Sequence, residues 1–269
     1  MTGAMTVSMK KALVTGGSGE IGGAICQRLA RDGFHVIVHA NRNAAGAERL
    51  AGAIGEAGQG AEAGYSAEAV SFDVTDRQAC ADAIAALLAD GPIQVLVNNA
   101  GIHADAPLAG MSWEQWRSVI DVSLHGFYNV TQPLLLPMIR TRWGRIVNIS
   151  SVSGIIGNRG QANYAAAKAG LHGAARSLAI EVASRGITVN TIAPGIIAGK
   201  NTEEGTEKGT EKGTEKGTAP AFPPETIKAL VPMQRAGLPE EVAALAAFLA
   251  SEDAAYISGQ VISINGAMA

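Results

Sequence analysis

The feature that most constrains the fold of this 269-residue chain is an alternation between two kinds of segment. Short runs of β-branched and other apolar residues alternate with longer Ala- and Leu-rich stretches of helical periodicity, as is typical of parallel βαβ units. The short runs carry few polar residues, so we expect helices on both faces of their sheet. The predicted strands are residues 11–16, 35–40, 69–74, 93–99, 144–150, 186–192 and 260–265, and the predicted helices are residues 21–31, 44–55, 77–88, 112–140, 162–184 and 240–250. The sequence therefore predicts an α/β fold with a doubly wound parallel sheet of seven strands.

A repeated tetrapeptide, GTEKGTEKGTEKGT at residues 205–218, raises the question of whether the chain forms two domains. The segment after the repeat contains a single predicted strand, and a lone strand needs partners from elsewhere in the chain. The repeat has no apolar residue, which predicts disorder. We therefore expect an N-terminal extension over residues 1–9 and one domain over residues 10–269, with a low-complexity insertion at about residues 199–220.

The composition argues against several classes of function. A formal net charge of −3 offers no basic face for nucleic acid. No apolar run is long enough to cross a bilayer and the N-terminus has no signal-peptide pattern, so we expect a cytoplasmic protein without a membrane partner. The two cysteines, Cys26 and Cys80, lack the spacing of metal ligands, and we expect no metal site.

A glycine-rich turn, LVTGGSGEIGGAI, follows the first predicted strand and leads into a helix. It matches G-x-G-x-x-G with Gly17, Gly19 and Gly22, and the N-terminus of such a helix can bind a dinucleotide pyrophosphate. An ordinary turn between a strand and a helix is the alternative. Because the turn ends the first strand of a βαβ pattern, we predict a Rossmann-like fold that binds a dinucleotide cofactor.

The second predicted strand ends in HANRN, where folds that bind NAD usually carry an acidic residue for the ribose 2′-hydroxyl. Here Asn41 and Arg42 stand instead, and the guanidinium of Arg42 can pair with a 2′-phosphate. NADP(H) is therefore the expected cofactor. The alternative is that Arg42 is only a solvated surface charge.

A second group of residues indicates proton-transfer chemistry. The helical segment QANYAAAKAG places Tyr164 and Lys168 one turn apart, and Ser151 stands at the end of a predicted strand. We expect the ammonium of Lys168 to lower the pKa of the Tyr164 phenol, which could then exchange a proton with a carbonyl or alcohol oxygen that Ser151 holds. The alternative is an amphipathic helix with a chance Tyr-x-x-x-Lys spacing.

Taken together, TGGSGEIG, NNAG at residues 98–101, Ser151 with Tyr164-x-x-x-Lys168, and APG at residues 193–195 resemble the short-chain dehydrogenase/reductase family over residues 10–269. The segments around Tyr164 and before APG are most similar to bacterial 3-oxoacyl-[acyl-carrier-protein] reductases. The resemblance implies NADPH-dependent reduction of a 3-oxoacyl thioester on an acyl carrier protein, in a homotetramer built on residues 112–140 and 162–184. It assigns catalysis to Ser151, Tyr164 and Lys168.

These interpretations together assign the cofactor site to residues at the ends of several strands. They are Gly16, Ser18, Gly19, Glu20, Ile21, Gly22, Asn41, Arg42, Asp73, Val74, Asn99, Ala100, Gly101, Tyr164, Lys168, Pro194 and Ile197. By resemblance, Asp73 and Val74 border the adenine, and Ile197 lies against the carboxamide. Arg142 and Arg185 match arginines that hold the acidic carrier protein in these reductases. The alternative for each arginine is a surface charge or a cation at a helix C-terminus.

Three positions depart from the family pattern. Glu20 replaces the middle glycine of the turn, Ser123 replaces an asparagine that acts through its main-chain carbonyl, and Gly199 replaces a threonine before the substrate lid. We expect Ser123 to keep the carbonyl role and cofactor binding to survive. Two other functions stay open: reduction of a free ketone or oxidation of an alcohol, and a cofactor-binding partner subunit that has lost efficient catalysis.

Overall fold

The computed structural model describes residues 9–59, 65–199 and 222–269. In these residues, seven parallel strands form one sheet in the order β3-β2-β1-β4-β5-β6-β7. The strands are β1 (Lys11–Val14), β2 (His35–Ala40), β3 (Ser66–Ser71), β4 (Ile93–Asn98), β5 (Gly144–Ile149), β6 (Ile187–Pro194) and β7 (Val261–Ile264). Strand order reverses between β1 and β4, which is where doubly wound folds bind their ligands.

Helices cover both faces of this sheet. They are α1 (Glu20–Arg31), α2 (Ala44–Gly58), α3 (Arg77–Leu88), α4 (Trp113–Ile120), α5 (Gly126–Thr141), α6 (Ser153–Ile156), α7 (Ala162–Val182), α8 (Pro224–Leu230) and α9 (Pro239–Ala250). Buried side chains of α1, α2 and α9 pack in one cluster, and those of α3, α5 and α7 pack in a second. Adjacent residues of β1 face opposite clusters, because Leu13 packs with the second and Val14 with the first. The predicted α/β fold with helices on both faces is confirmed.

The predicted strand at residues 69–74 was wrong in its bounds, since β3 spans Ser66–Ser71. The carboxylate of Asp73 accepts hydrogen bonds from the backbone N–H and the hydroxyl of Thr75, each at 2.8 Å. An aspartate that bonds the backbone two residues on forms a turn, and this turn takes the chain out of the sheet.

The predicted helix at residues 112–140 is not uniform. A π-helical turn, Asp121–His125, lies between α4 and α5. In such a turn the backbone hydrogen bonds span five residues instead of four, so it takes up one more residue than an α-helical turn. The turn contains Ser123, which is buried.

The segment after the tetrapeptide repeat contributes β7, which pairs in parallel with β6. The predicted N-terminal extension, apart from Met9, lies outside the described residues, and so does the predicted insertion, apart from Gly199. Within the described ranges, no helix combines the length and the hydropathy needed to cross a bilayer.

Candidate functional site

The glycine turn lies at the carboxyl end of β1, where close packing requires glycine. Gly16 has a φ of +64°, in the left-handed region that glycine adopts without strain. A Cβ on Gly22 would lie 2.9 Å from the carbonyl carbon of Gly16 and 2.7 Å from Nδ2 of Asn99, so a side chain there would push α1 away from the turn. The first turn of α1 therefore sits close to the strand end, with its N-terminus available to an anion.

The side chain of His39, a residue that the sequence interpretation missed, hydrogen-bonds to this turn. Its side chain is buried, Nδ1 accepts the N–H of Gly16 at 3.1 Å, and Nε2 donates to the carbonyl oxygen of Phe72 at 2.9 Å. This hydrogen-bond pattern assigns the proton to Nε2 of a neutral ring. Burial lowers the pKa of His39 below its usual range, which favours the same neutral form. A histidine that interrupts the apolar stretch VIVHA, residues 36–40, is the sequence signal for such a residue.

The NNAG segment, at the end of β4, is hydrogen-bonded to the start of the glycine turn. The hydroxyl of Thr15 accepts the N–H groups of Asn99 and Ala100 at 2.9 and 3.0 Å. The Asn99 amide donates to the carbonyl oxygens of Thr15 and Gly16 at 2.9 and 3.1 Å. The predicted cofactor residues Gly16, Asn99 and Ala100 thus meet at the reversal point of the strand order.

The residues predicted to distinguish NADP from NAD meet at the ends of β2 and β3. Arg42 and Asn41 are exposed, and both lie close enough to the carboxylate of Asp73 to lower its pKa. Burial acts to raise the pKa of Asp73, but its hydrogen bonds and the nearby charge of Arg42 outweigh this and lower it. Val74 is buried beside them.

The three predicted catalytic residues also converge. Ser151 follows the carboxyl end of β5, while Tyr164 and Lys168 project from α7. Ser151 lies close enough to the phenol of Tyr164 to lower its pKa, and the Oγ of Ser151 accepts the backbone N–H of Ser153 at 3.1 Å. Nζ of Lys168 lies 5.5 Å from the centroid of the Tyr164 ring and donates to the carbonyl oxygen of Ile149 at 2.8 Å.

The expected acidification of Tyr164 is wrong for this structure. Burial raises the pKa of its phenol to about 12, the hydrogen bond with Ser151 opposes the rise, and the carboxylate of Asp105 adds to it. Burial also lowers the pKa of the Lys168 ammonium to about 8. The cost of burying a charged group exceeds the attraction that the sequence interpretation relied on. Tyr164 is accordingly a neutral phenol near neutral pH, the form that can donate a proton.

A second feature that the sequence interpretation missed is a histidine ring stacked on the face of the Tyr164 ring. The ring of His103 stacks on it with centroids 4.2 Å apart, and Nδ1 of His103 lies 3.9 Å from a carboxylate oxygen of Asp105. The other oxygen of Asp105 accepts the side-chain amide of Gln161 at 2.8 Å. Burial lowers the pKa of His103, although Asp105 opposes this. The sequence signal was an ionisable pair, H-x-D, directly after NNAG.

Ser123 lies in the π-helical turn, and its Oγ has no hydrogen-bond partner within the described part of the chain. A buried hydroxyl without a protein partner is where an ordered water is expected. The role predicted for Ser123 belongs to its main-chain carbonyl, so the environment of its hydroxyl does not test that role, which stays a prediction.

The end of β6 and the residues after it contribute a further part of the site. The carbonyl oxygen of Pro194 accepts the N–H of Val152 at 2.7 Å, and Ile197 forms an isolated parallel bridge with Gly237. Gly199 lies against the carboxylate of Glu20, at the first turn of α1. Predicted cofactor residues from four different strands therefore lie at the carboxyl ends of those strands, and Ser18, Gly19, Ile21 and Gly101 lie at or directly after the turns that follow β1 and β4.

Arg142 and Arg185 lie elsewhere. Arg142 directly follows α5 and precedes β5, and Arg185 precedes β6, so both are at the amino ends of these strands. Ser151 and Pro194 are at or beyond the carboxyl ends. A strand of six residues such as β5 spans about 20 Å. The guanidinium of Arg142 donates to the carbonyl oxygen of Ser184 at 3.2 Å, which brings the two arginines together. The structure places them at the edge of the sheet opposite Tyr164.

Comparison with known proteins agrees with this geometry. A family model described as short chain dehydrogenase matches residues 10–209. The chain is 43% identical over 258 residues to the 3-oxoacyl-[acyl-carrier-protein] reductase FabG of Aggregatibacter actinomycetemcomitans, covering 95% of this chain and 98% of that protein. It is 44% identical over 256 residues to the acetoacetyl-CoA reductase of Rhizobium meliloti, covering 95% and 96%. It is 40% identical over 263 residues to Nodulation protein G of Azospirillum brasilense, covering 97% and 99%.

The family model matches well over half of the chain, and these relatives align with nearly all of it. The resemblance drawn from the glycine turn, NNAG and the Ser-Tyr-Lys set is confirmed. The chain belongs to the short-chain dehydrogenase family of oxidoreductases.

Proposed function

We propose that the protein is an NADPH-dependent ketoreductase that converts a 3-oxoacyl thioester, carried by an acyl carrier protein, to the 3-hydroxyacyl form. The observation that carries this proposal is the convergence of Ser151, Tyr164 and Lys168 beside the glycine turn. The names of the relatives support the acyl substrate, since they include 3-oxoacyl-[acyl-carrier-protein] and acetoacetyl-CoA reductases.

Each of the three residues has a separate part in the proposed reaction. The bound nicotinamide supplies hydride to the ketone carbon. Tyr164, as a neutral phenol, donates its proton to the ketone oxygen, and Ser151 donates a hydrogen bond to the same oxygen because its Oγ is oriented by the N–H of Ser153. The buried ammonium of Lys168 lies within the same cluster and stabilises negative charge that develops on either oxygen.

The cofactor site fits a dinucleotide. Gly22 permits α1 to approach the turn, and the N-terminus of α1 is suited to a pyrophosphate. At the other end, the exposed Arg42 and the amide of Asn41 lie where a ribose 2′-phosphate would be held, and Arg42 offsets the charge of Asp73. This arrangement supports NADPH over NADH.

Arg42→Ala tests this preference. We expect the Kd for NADPH to rise about tenfold, because the charge-assisted pair is lost and the Asp73 carboxylate then faces the phosphate alone. The Kd for NADH should change less than twofold, as measured by titration of cofactor fluorescence in parallel with the control Arg31→Ala. An equal loss for both cofactors would contradict the assignment of Arg42.

A second candidate function follows from the position of the arginine pair. Because Arg142 and Arg185 lie at the edge of the sheet opposite Tyr164, a carrier protein bound there does not adjoin the catalytic residues of the same chain. This favours a substrate without a carrier protein, such as a coenzyme A thioester or a free ketone, unless a neighbouring subunit receives the acyl group.

Parallel rates on three substrates separate these candidates: a 3-oxoacyl thioester on acyl carrier protein, the same acyl group on coenzyme A, and a free ketone. If the arginines hold the carrier, the double charge reversal Arg142→Glu/Arg185→Glu should raise KM for the carrier-bound substrate about tenfold and leave the other two unchanged. Arg31→Glu, at the same edge of the sheet but on its other face, is the control. A higher kcat/KM of the wild type on the coenzyme A thioester or the free ketone than on the carrier-bound substrate would favour the second candidate, and no NADPH oxidation with any substrate would favour a catalytically impaired subunit.

The homotetramer is also part of the proposal. Large apolar side chains are exposed on α4, α5 and α7, with Trp113 66%, Leu136 62% and Ile180 82% exposed. Patches of this kind mark interfaces between proteins, and these helices are the ones on which the assembly is expected.

A further inference from the structure

The side chain of Glu20 links the start of α1 to the segment after β6. A Cβ placed on Gly199 would lie 2.9 Å from Cδ of Glu20 and 3.0 Å from its Oε1, so the carboxylate fills the space beside this glycine. The approach depends on the absence of a side chain at Gly199.

The backbone around Gly199 explains how the two segments meet. Ile197 pairs with Gly237, the N–H of Ala198 donates to the carbonyl oxygen of Gly237 at 2.7 Å, and the N–H of Gly237 donates to that of Ile196 at 2.9 Å. Gly237 lies two residues before α9, which packs beside α1 on the same face of the sheet. The segment after β6 is therefore held close to α1 by its pairing with the residues before α9.

The negative charge of Glu20 affects the binding of an anion at the N-terminus of α1. Glu20 is the first residue of α1, and Gly19, the residue that caps this helix, makes no side-chain hydrogen bond to its N–H groups. A carboxylate in the first turn is attracted by the positive end of the helix dipole, and so is a pyrophosphate. Two anions at one helix N-terminus repel each other.

We propose that the carboxylate of Glu20 competes with the cofactor pyrophosphate: it binds the segment at Gly199 in the free protein and has to leave this position when a dinucleotide enters. The negative charge of Glu20 thereby lowers the affinity of the protein for the cofactor. The inference rests on the proposed cofactor site at the glycine turn. It predicts that removal of the charge strengthens binding, whereas loss of an ordinary binding residue weakens it.

The test compares Glu20→Gln with the wild type in direct binding of NADPH, measured by calorimetry without substrate. Glutamine keeps the length and shape of the side chain, so we expect the Kd for NADPH to fall about tenfold. The matched control is Glu114→Gln, since Glu114 is also an exposed carboxylate in the first turn of a helix, α4, and we expect no change there.

Two further measurements distinguish charge competition from a general effect on folding. Raising the salt concentration should reduce the difference between wild type and Glu20→Gln, because salt screens the repulsion. Binding of adenosine 2′-monophosphate, which has no pyrophosphate, should be the same in both proteins. An equal or higher Kd for NADPH in Glu20→Gln overturns this inference alone. Failure of the wild type to bind either NADPH or NADH overturns both the inference and the proposed cofactor.

Discussion

Replacement of Tyr164 by phenylalanine is expected to lower kcat for ketone reduction about a thousandfold. The variant loses the proton that the phenol donates and one of the two hydrogen bonds to the ketone oxygen. The aromatic ring remains, so its stacking on His103 and its buried volume are kept. Steady-state kinetics with NADPH and a 3-oxoacyl thioester measure the effect.

The control for this prediction is the folded state of the variant. Tyr164→Phe should change the unfolding free energy by no more than about 1 kcal/mol, because the buried ring is kept, and the variant should still bind NADPH. Tyr128→Phe, at an exposed position on α5, should change neither activity nor stability. Near-normal turnover by Tyr164→Phe would show that another group supplies the proton.

The second large effect is expected for Lys168→Met, which should lower kcat about a hundredfold. Methionine approximates the length of the lysine side chain without its charge, so the negative charge on the reacting oxygens loses its nearest buried cation. The carbonyl oxygen of Ile149 also loses a hydrogen-bond donor.

Stability at high pH gives an independent check on Lys168. Burial lowers its pKa from 10.5 to about 8, so the folded protein releases this proton at lower pH than the unfolded chain. This contribution to the free energy of unfolding therefore rises with pH between about 8 and 10.5. Between about pH 7 and pH 9.5 the rise amounts to about 2 kcal/mol, measurable by urea unfolding, and Lys168→Met should lack it. The same pH dependence in both proteins would contradict a buried, charged Lys168.

The sequence was sufficient for the features that depend on local pattern. Apolar runs and helical periodicity predicted the parallel sheet, and the motif residues at the strand ends converge because the carboxyl ends of parallel strands share one edge. The same rule places Arg142 and Arg185, which precede their strands, at the opposite edge. Strand direction alone could have indicated this, but the sequence interpretation relied on resemblance instead.

The features that were missed depend on contacts between distant segments. The high pKa of Tyr164 comes from burial and from Asp105, which is 59 positions earlier in the chain. His39 supports Gly16 from the neighbouring strand, and Glu20 meets Gly199 only because residues 196–198 pair with Gly237. Periodicity reports which face of an element is buried, but it does not report which polar groups of other elements lie there.

The π-helical turn at Asp121–His125 has a consequence for the length of the chain at this point. Since the turn accommodates one residue more than an α-helical turn, it absorbs that residue locally, and α4 and α5 keep their buried faces toward the same neighbours. A chain shortened by one residue here can therefore continue as a regular helix and still pack. What it gives up is the widened backbone around Ser123, the residue whose main-chain carbonyl is predicted to have a part in the site.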